Sequence, residues 1–328
     1  MKEIIRLDDI RRDFRVGDET VHALRGVTFT ICEGEFVTIM GTSGSGKSTL
    51  LNTLGCLDTP SAGEYYLDGT AVRSMDKNQR ATLRNRKIGF VFQNYNLLPK
   101  TTAIENVELP LMYNPSCSSA ERRDRAVAAL KAVGLGDRLL HRSNQMSGGQ
   151  MQRVAIARAL VNDPAVILAD EATGNLDTRT SFEVLVLFQQ LHAAGRTIIF
   201  VTHNPEIAQY SSRNITLRDG RVTGDVRNAA ILDAAETLAD ARETLDEKQQ
   251  ELADALGISK SSVNMYERGE REPGLETLAA MAEMAGGDLP GLIERYEARR
   301  SGTGRDEVRA AVLHHWEVMK ASMADGLA

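Results

Sequence analysis

The 328-residue chain is 42% hydrophobic and 26% charged, with 8 prolines and a net charge of −6. At roughly 100–200 residues per domain this composition predicts two or three globular domains and excludes a disordered or fibrous chain. No apolar run nears the ~20 residues of a membrane helix, the opening MKEIIRLDDIRRDF lacks the pattern of a signal peptide, and Cys32, Cys56 and Cys117 have neither disulfide-framework nor metal-ligand spacing.

In chain order, Ile4 to Leu7, Val27 to Ile31 and Phe36 to Met40 are predicted strands, with turn signals at Asp18 and Glu33-Gly34. Phe14 falls between the first two, free to stack on a base or to join the core. After the third strand comes GTSGSGKST, Gly41 to Thr49, and then Leu50, Leu51 and Leu54 of a predicted helix. Strand, glycine-rich loop and helix together make a phosphate site: Gly41, Gly44 and Gly46 let successive N–H groups turn inward, and the helix adds its dipole. Lys47 reaches the β- and γ-phosphates and the Ser48 hydroxyl ligates Mg²⁺ in this reading, with Ser43 and Thr49 as further nucleotide contacts.

Glu64 to Asp68 and Ile88 to Phe92 are further predicted strands, the second ending at Gln93, where ligands of an α/β sheet bind. Gln93 is therefore a candidate for Mg²⁺ or the attacking water. Thr101 to Gln145 turns helical, with a helix over Ala120 to Val133 stopped by Gly134. Ser147-Gly148-Gly149-Gln150 then opens another helix, capped by Ser147 and with two glycines predicted to leave its amides bare, which makes a second anion site. Ala165 to Ala169 is an apolar strand ending in Asp170-Glu171. Beside a phosphate loop this is a Walker B layout, in which Asp170 holds Mg²⁺ through water and Glu171 orients and deprotonates the attacking water. Gly174-Asn175-Leu176-Asp177 forms a turn, a helix follows over Arg179 to Ala193, and the strand Thr197 to Val201 delivers His203 toward the γ-phosphate.

Charge then changes. Residues 1–226 carry 27 Lys+Arg against 25 Asp+Glu, and residues 227–328 carry 12 against 20, which places a domain boundary near Arg227. Beyond it, Leu238 to Arg242, Gln249 to Leu256 and Ser261 to Glu267 are short predicted helices, Gly257 stopping the second and Ser259 capping the third. Leu292 to Arg300 and Val308 to Met323 are also predicted helices. Val308, Val312, Trp316, Met319 and Met323 form an apolar stripe, to pack on the preceding helices or on a partner's copy. His314 and His315 face different sides of that helix and make a poor metal pair.

With GTSGSGKST, Gln93, SGGQ, ILADE, GNLD and His203 in that order, residues 5–226 resemble the nucleotide-binding domain of an ABC transporter. GFVFQNYNLLP with GNLD is most similar to the ATPases of macrolide-exporter and lipoprotein-releasing systems. The resemblance implies an α/β P-loop NTPase of the ABC ATPase type over residues 1–226, with an inserted helical subdomain at about 100–160. It implies ATP and Mg²⁺ as ligands, Phe14 as the adenine-stacking position, Gln93 as the Q-loop, Ser147, Gly148, Gly149 and Gln150 as the signature, Asp177 as the D-loop and His203 as the switch histidine. Glu171, His203 and Gln93 are then catalytic, and Ser48, Gln93 and Asp170 hold the metal. Ala172 stands where the family usually has Pro, predicting a looser turn after Glu171, and Met146 stands where Leu precedes the signature. With one phosphate loop and one signature per chain, the family geometry implies a homodimer in which each Ser147 faces the other chain's γ-phosphate. It also implies a separate membrane permease as partner and a cytoplasmic location, peripheral on the inner face of the cell membrane. The rival reading is a cytosolic ATPase that regulates a DNA-bound transcription factor with no permease.

QQELADALGISKSSVNMYERGEREPGLETLAAMAE resembles the helix-turn-helix of Cro/cI-type repressors, implying a linker at 227–234, an all-α helix-turn-helix domain at 235–290 and a helical tail at 291–328. In that family Lys260, Ser262 and Asn264 would face base edges of double-stranded DNA, with Gln249 and Arg268 at phosphates. Against this stand the acidic charge and Glu247, at a position usually apolar, and the same fold also serves as a protein-interaction module.

Overall fold

The computed structural model describes residues 2–17, 19–114, 116–239, 249–250, 253–254, 256–267, 277 and 280. The chain divides into two compact units, Met1–Leu238 and Ala239–Ala328.

Short apolar runs build the centre of the first unit. FVTIM, IGFVF, VILAD and IIFVT become β3 (Phe36–Met40), β6 (Ile88–Phe92), β7 (Val166–Asp170) and β8 (Ile198–Thr202). Such runs suit parallel strands buried on both faces. With β9 (Arg213–Arg218) and β10 (Arg221–Arg227) they form a six-stranded sheet in the order β10-β9-β3-β8-β7-β6, parallel except for the β9–β10 pair. A second, antiparallel sheet, β2-β1-β4-β5, comes from β1 (Glu3–Val16), β2 (Glu19–Cys32), β4 (Ala62–Leu67) and β5 (Thr70–Ala71).

Alternation along the central strands sorts side chains into two cores. Val37, Ile39, Leu168 and Ile199 pack with Leu50, Leu51 and Leu54 of α1 (Lys47–Leu54) and with Ile5, Leu7 and Tyr65 of the antiparallel sheet. Phe36, Ile167, Ala169 and Phe200 face the other way. They meet α3 (Ala103–Glu108), α4 (Ser119–Ala132), α5 (Gly148–Leu160) and α6 (Thr178–Ala193). The predicted α/β P-loop NTPase fold is thus observed, with helices inserted between β6 and β7.

The outer elements differ from expectation. β1 and β2 run well past Ile4–Leu7 and Val27–Ile31 into one long hairpin, pairing Phe14 with Val21, so Phe14 sits within β1. α2 (Lys77–Lys87), β9 and β10 are not among the predicted elements. No residue of α2 is buried, which leaves no apolar period to detect, and a capping box starts it, with Asp76 Oδ1 accepting from Asn78 N at 2.8 Å and Gln79 N at 2.9 Å. The turn signal at Asp18 lies outside the described residues.

The stretch expected as a linker, 227–234, is bonded to the rest of its unit. Gln189 on α6 donates from Nε2 to the Leu232 carbonyl at 2.7 Å and accepts from Ala234 N at 2.8 Å, while Asn228 Nδ2 donates to the Ser211 carbonyl at 2.7 Å. In the second unit, Gly257 adopts φ +62° and the Ser259 hydroxyl accepts from Ser262 N at 3.1 Å, opening the helix Lys260–Glu267, as a helix stop and cap require. Gln249, expected to face phosphates, is buried. Glu247, Arg268, Leu292 to Arg300 and the stripe from Val308 to Met323, with His314 and His315, lie outside the described residues.

Candidate active site

Strand register assembles the site. Met40 pairs with Thr202, Asp170 with Val201 and Phe92 with Asp170, so β3, β8, β7 and β6 end at one edge of the sheet. The residues that follow, Gly41, His203, Glu171 and Gln93, therefore leave the sheet together, at the edge where parallel sheets bind ligands.

At the phosphate loop the glycines answer to crowding and to backbone shape. A Cβ on Gly41 would collide with the Leu217 carbonyl, and one on Gly46, at φ +102°, would lie 2.7 Å from the Ala23 carbonyl. Gly44, at φ +77°, has open space and is needed for conformation alone. Gly46 is the N-cap of α1 and offers no side-chain acceptor, so the first amides of that helix are left for an anion. Lys47 Nζ donates to the carbonyls of Gly41 at 2.6 Å and Thr42 at 2.9 Å, using two of its three donors to close the loop across its base. Ser43 and Ser48 are exposed at the mouth and Thr49 is half-buried.

Facing it, burial and the neighbouring Glu171 raise the Asp170 carboxyl above its ordinary range, while Lys47 pulls the other way. Two adjacent carboxylates half-withdrawn from water suit a divalent cation. Asp170, the exposed Ser48 hydroxyl and the side-chain oxygen of Gln93 would supply hard oxygen donors of the kind that Mg²⁺ takes. Glu171 has φ +43° and donates its N–H to the Val201 carbonyl at 2.8 Å, and its Oε1 lies 2.7 Å from His203 Nδ1. The predicted base and the predicted switch histidine are thus paired directly.

The turn after Glu171 is held, contrary to the looseness expected from Ala172 in place of Pro. Ala172 is buried, its carbonyl accepts from Gln152 Nε2 at 2.7 Å, and Gly174 N closes back on the Glu171 carbonyl at 2.8 Å. Two residues with no role predicted from sequence brace this turn. One is Gln152. The other is Asn175, which accepts from Gln93 Nε2 at 3.2 Å and donates to Asn94 Oδ1 at 2.7 Å, so that Gln93 is held against the turn.

Ser147 and Gln150 form a capping box at the start of α5: Ser147 Oγ accepts from Gln150 N at 3.3 Å, and Gln150 Oε1 accepts from Ser147 N at 3.0 Å. The two glycines expected to leave their amides bare are both closely packed at Cα. Gly149 is buried, and a Cβ there would run into Thr180 Cγ2, while one on Gly148 would lie 2.9 Å from the Tyr95 hydroxyl. Asp177 caps α6, accepting from Thr180 N at 2.9 Å and Thr180 Oγ1 at 2.6 Å, and these bonds hold its carboxyl below its ordinary range. Phe14 is not a core residue: it is 36% exposed, with the Arg12 guanidinium 4.4 Å from its ring centroid. Lys47, Asp170, Glu171, His203 and Gln93 thus share one edge, whereas no hydrogen bond among the described residues joins Ser147, Gln150, Asp177 or Phe14 to Gly41–Thr49.

Residues 24–174 match the ABC transporter family and residues 238–292 the helix-turn-helix family. The chain is 54% identical over 231 residues to an uncharacterized ABC transporter ATP-binding protein of Thermotoga maritima, covering 70% of this chain and 98% of that one. It is 53% identical over 228 residues to the macrolide export ATP-binding/permease protein MacB of Brucella melitensis, but spans 35% of that relative's length. A dimeric post-hydrolysis structure of the ATP-binding cassette MJ0796, bound to ADP and Pi, superposes with a TM-score of 0.63 at 45% identity, covering 68% of this chain and 98% of the other.

Proposed function

Because this chain belongs to the family of ABC transporter ATP-binding proteins, we propose that it is the ATP-hydrolysing subunit of a transporter whose membrane permease is a separate chain. The observation that carries the reading is the convergence of Lys47, Asp170, Glu171 and His203 on one sheet edge, with Glu171 and His203 2.7 Å apart. Gly41 to Thr49 bind the triphosphate through loop amides and Lys47. Ser48, Asp170 and Gln93 hold Mg²⁺, which offsets the phosphate charge when bound. Glu171 takes a proton from the attacking water, and His203 at its side orients that carboxylate toward the γ-phosphate. Phe14 stacks on the adenine, with Arg12 on its ring.

Two such chains form the complete sites, each lending Ser147 to Gln150 and Asp177 to the other. The dimeric cassette structure at 45% identity supports this arrangement. For the permease there is a groove of about 720 Å³ lined by Leu57, Phe90, Phe92, Tyr113, Arg84 and Arg158, with Leu57 and Tyr113 exposed beside it. A mainly apolar trough edged by arginines suits a short amphipathic segment with acidic ends. Among the described residues no helix is long and apolar enough to cross a membrane. The C-terminal segment reads as a helix-turn-helix that contacts double-stranded DNA.

The test is Glu171→Gln, which keeps size and hydrogen bonding but cannot take the proton. Turnover should fall by ~10²–10⁴, and sizing chromatography should show the variant as a dimer in Mg-ATP, while Lys47→Ala loses nucleotide and stays monomeric. Wild-type turnover in Glu171→Gln overturns the base, and a slow but monomeric variant overturns the shared site.

A further inference from the structure

The geometry points to Gln152 as the positioning residue that sets the Glu171 backbone, tying the hydrolytic turn to the helix that begins at Ser147. This inference rests on the reading of Glu171 as the base. Gln152 lies five residues past Ser147 on α5 and is fully buried. Its Nε2 donates to the carbonyl of Ala172, the residue next to Glu171, at 2.7 Å. Its Oε1 is buried and meets no donor among the described residues.

That unmatched oxygen is the informative part. A buried acceptor without a partner destabilises a fold, and an apolar side chain of the same shape would remove that penalty only by leaving the Ala172 carbonyl without a donor instead. A glutamine here therefore makes sense for what its other end does. Glu171 sits at φ +43°, a conformation that strains any residue with a Cβ and persists only where its surroundings impose it. Its N–H is tied to the Val201 carbonyl and its carbonyl to Gly174 N, both at 2.8 Å. The bond from Gln152 fixes the next carbonyl along and so restrains the peptide orientation on which the Glu171 side chain is carried. The same turn is also braced by Asn175 through Gln93 and Asn94. A displacement at the Ser147 end of α5 is thereby passed to the backbone beside Glu171 through one side chain.

The full chain is assayed as Gln152→Met, which keeps volume and removes both polar atoms, and as Gln152→Glu. In Gln152→Met the unmatched Oε1 is removed but the buried Ala172 carbonyl loses its donor, so the melting temperature is expected to change little and the KM for Mg-ATP to stay within about twofold, while kcat falls about ten- to a hundredfold through misplacement of the base. Gln152→Glu adds a readout that a packing role would not move. A protonated carboxyl can donate to the Ala172 carbonyl and a carboxylate cannot, so its turnover relative to wild type should fall as pH rises from about 6 to 9, burial having raised that carboxyl. The same ratio for Gln152→Met should stay flat. The inference is overturned if Gln152→Met has a kcat within about twofold of wild type, if its KM rises in step with the loss of kcat, or if the two pH ratios run parallel. Should Gln152→Met not fold, the pH ratio of Gln152→Glu decides alone. Glu171→Gln measured in parallel separates the two readings: if it retains turnover the base assignment has failed, and if it is inactive beside an unimpaired Gln152→Met, only the role of Gln152 has.

Discussion

Asp170 shows how one residue can work against the fold that carries it. Burial and then Glu171 raise its carboxyl, with Lys47 opposing. An acid whose folded pKa lies above its unfolded value adds stability at low pH and loses that contribution as pH rises, so at neutral pH an ionised Asp170 destabilises the ligand-free protein. Asp170→Asn is therefore expected to raise the melting temperature without nucleotide while weakening Mg-ATP binding. A lower melting temperature for that variant would show that the carboxylate is compensated within the chain. For the same reason Mg-dependent nucleotide affinity should begin to fall, on acidification, at a higher pH than an ordinary aspartate would dictate. Removing the like charge with Glu171→Gln should move that fall to lower pH, as equilibrium binding titrations between about pH 4 and 7 would show. Asp170, Glu171 and His203 were legible in sequence because each ends or directly follows a strand marked by its apolar run. The bracing roles of Gln152 and of Asn175, the latter named only as part of the GNLD turn, were not, since they act on the backbone of Ala172 and on Gln93, contacts that close only in three dimensions.

At the level of elements, the same physics decides what sequence reveals. β3, β6, β7 and β8 are buried on both faces, so their composition alone marks them. β1 and β2 extend beyond the core as an exposed hairpin in which RRDFRV carries no apolar alternation, and their true length follows from pairing. β9 and β10 are held by something no pattern announces. Arg213 is 9% exposed and bonds Asp225 through Nε and Nη2, each at 2.7 Å, Glu35 Oε2 at 3.1 Å and the Thr30 carbonyl at 2.8 Å. Arg213→Met removes the centre of this network and leaves the buried Glu35 with Arg227 at 2.8 Å as its remaining ion pair and the Cys32 N–H at 2.9 Å. Breaking one partner of a buried pair costs ~3 kcal/mol, less on the Asp225 side, which is 37% exposed and screened by solvent. Denaturant titration at neutral pH should register that loss. The Arg213 hydrogen bond holds the Asp225 carboxyl below its ordinary range, so its contribution is present above the unfolded pKa of ~3.9 and disappears as pH falls through the folded value. The gap between wild type and Arg213→Met should narrow only below about pH 4.

For the whole molecule the question is what an ATPase cassette does with a helix-turn-helix. The segment leading to it is fastened to α6 by both ends of the Gln189 amide, and α6 itself starts at Asp177, beside the hydrolytic turn. The second unit contains the expected glycine stop and serine cap ahead of the helix Lys260–Glu267, which carries Ser262 and Asn264. Its charge argues the other way, with 12 Lys+Arg against 20 Asp+Glu over residues 227–328. A protein that neutralises phosphates must release counterions, so DNA binding by this chain requires a local cluster of cations and has to show it in salt dependence. If the helix reads bases, the full chain will select a duplex from random sequences, with affinity falling steeply between about 50 and 200 mM salt. Asn264→Ala will then relax preference at one base pair by ~1–3 kcal/mol, with the salt slope unchanged, because an amide releases no counterion. Loss of affinity for all sequences alike in Asn264→Ala would place that residue at the DNA backbone. Binding that is absent or independent of salt would remove DNA from the account and leave a protein-docking module on an acidic surface.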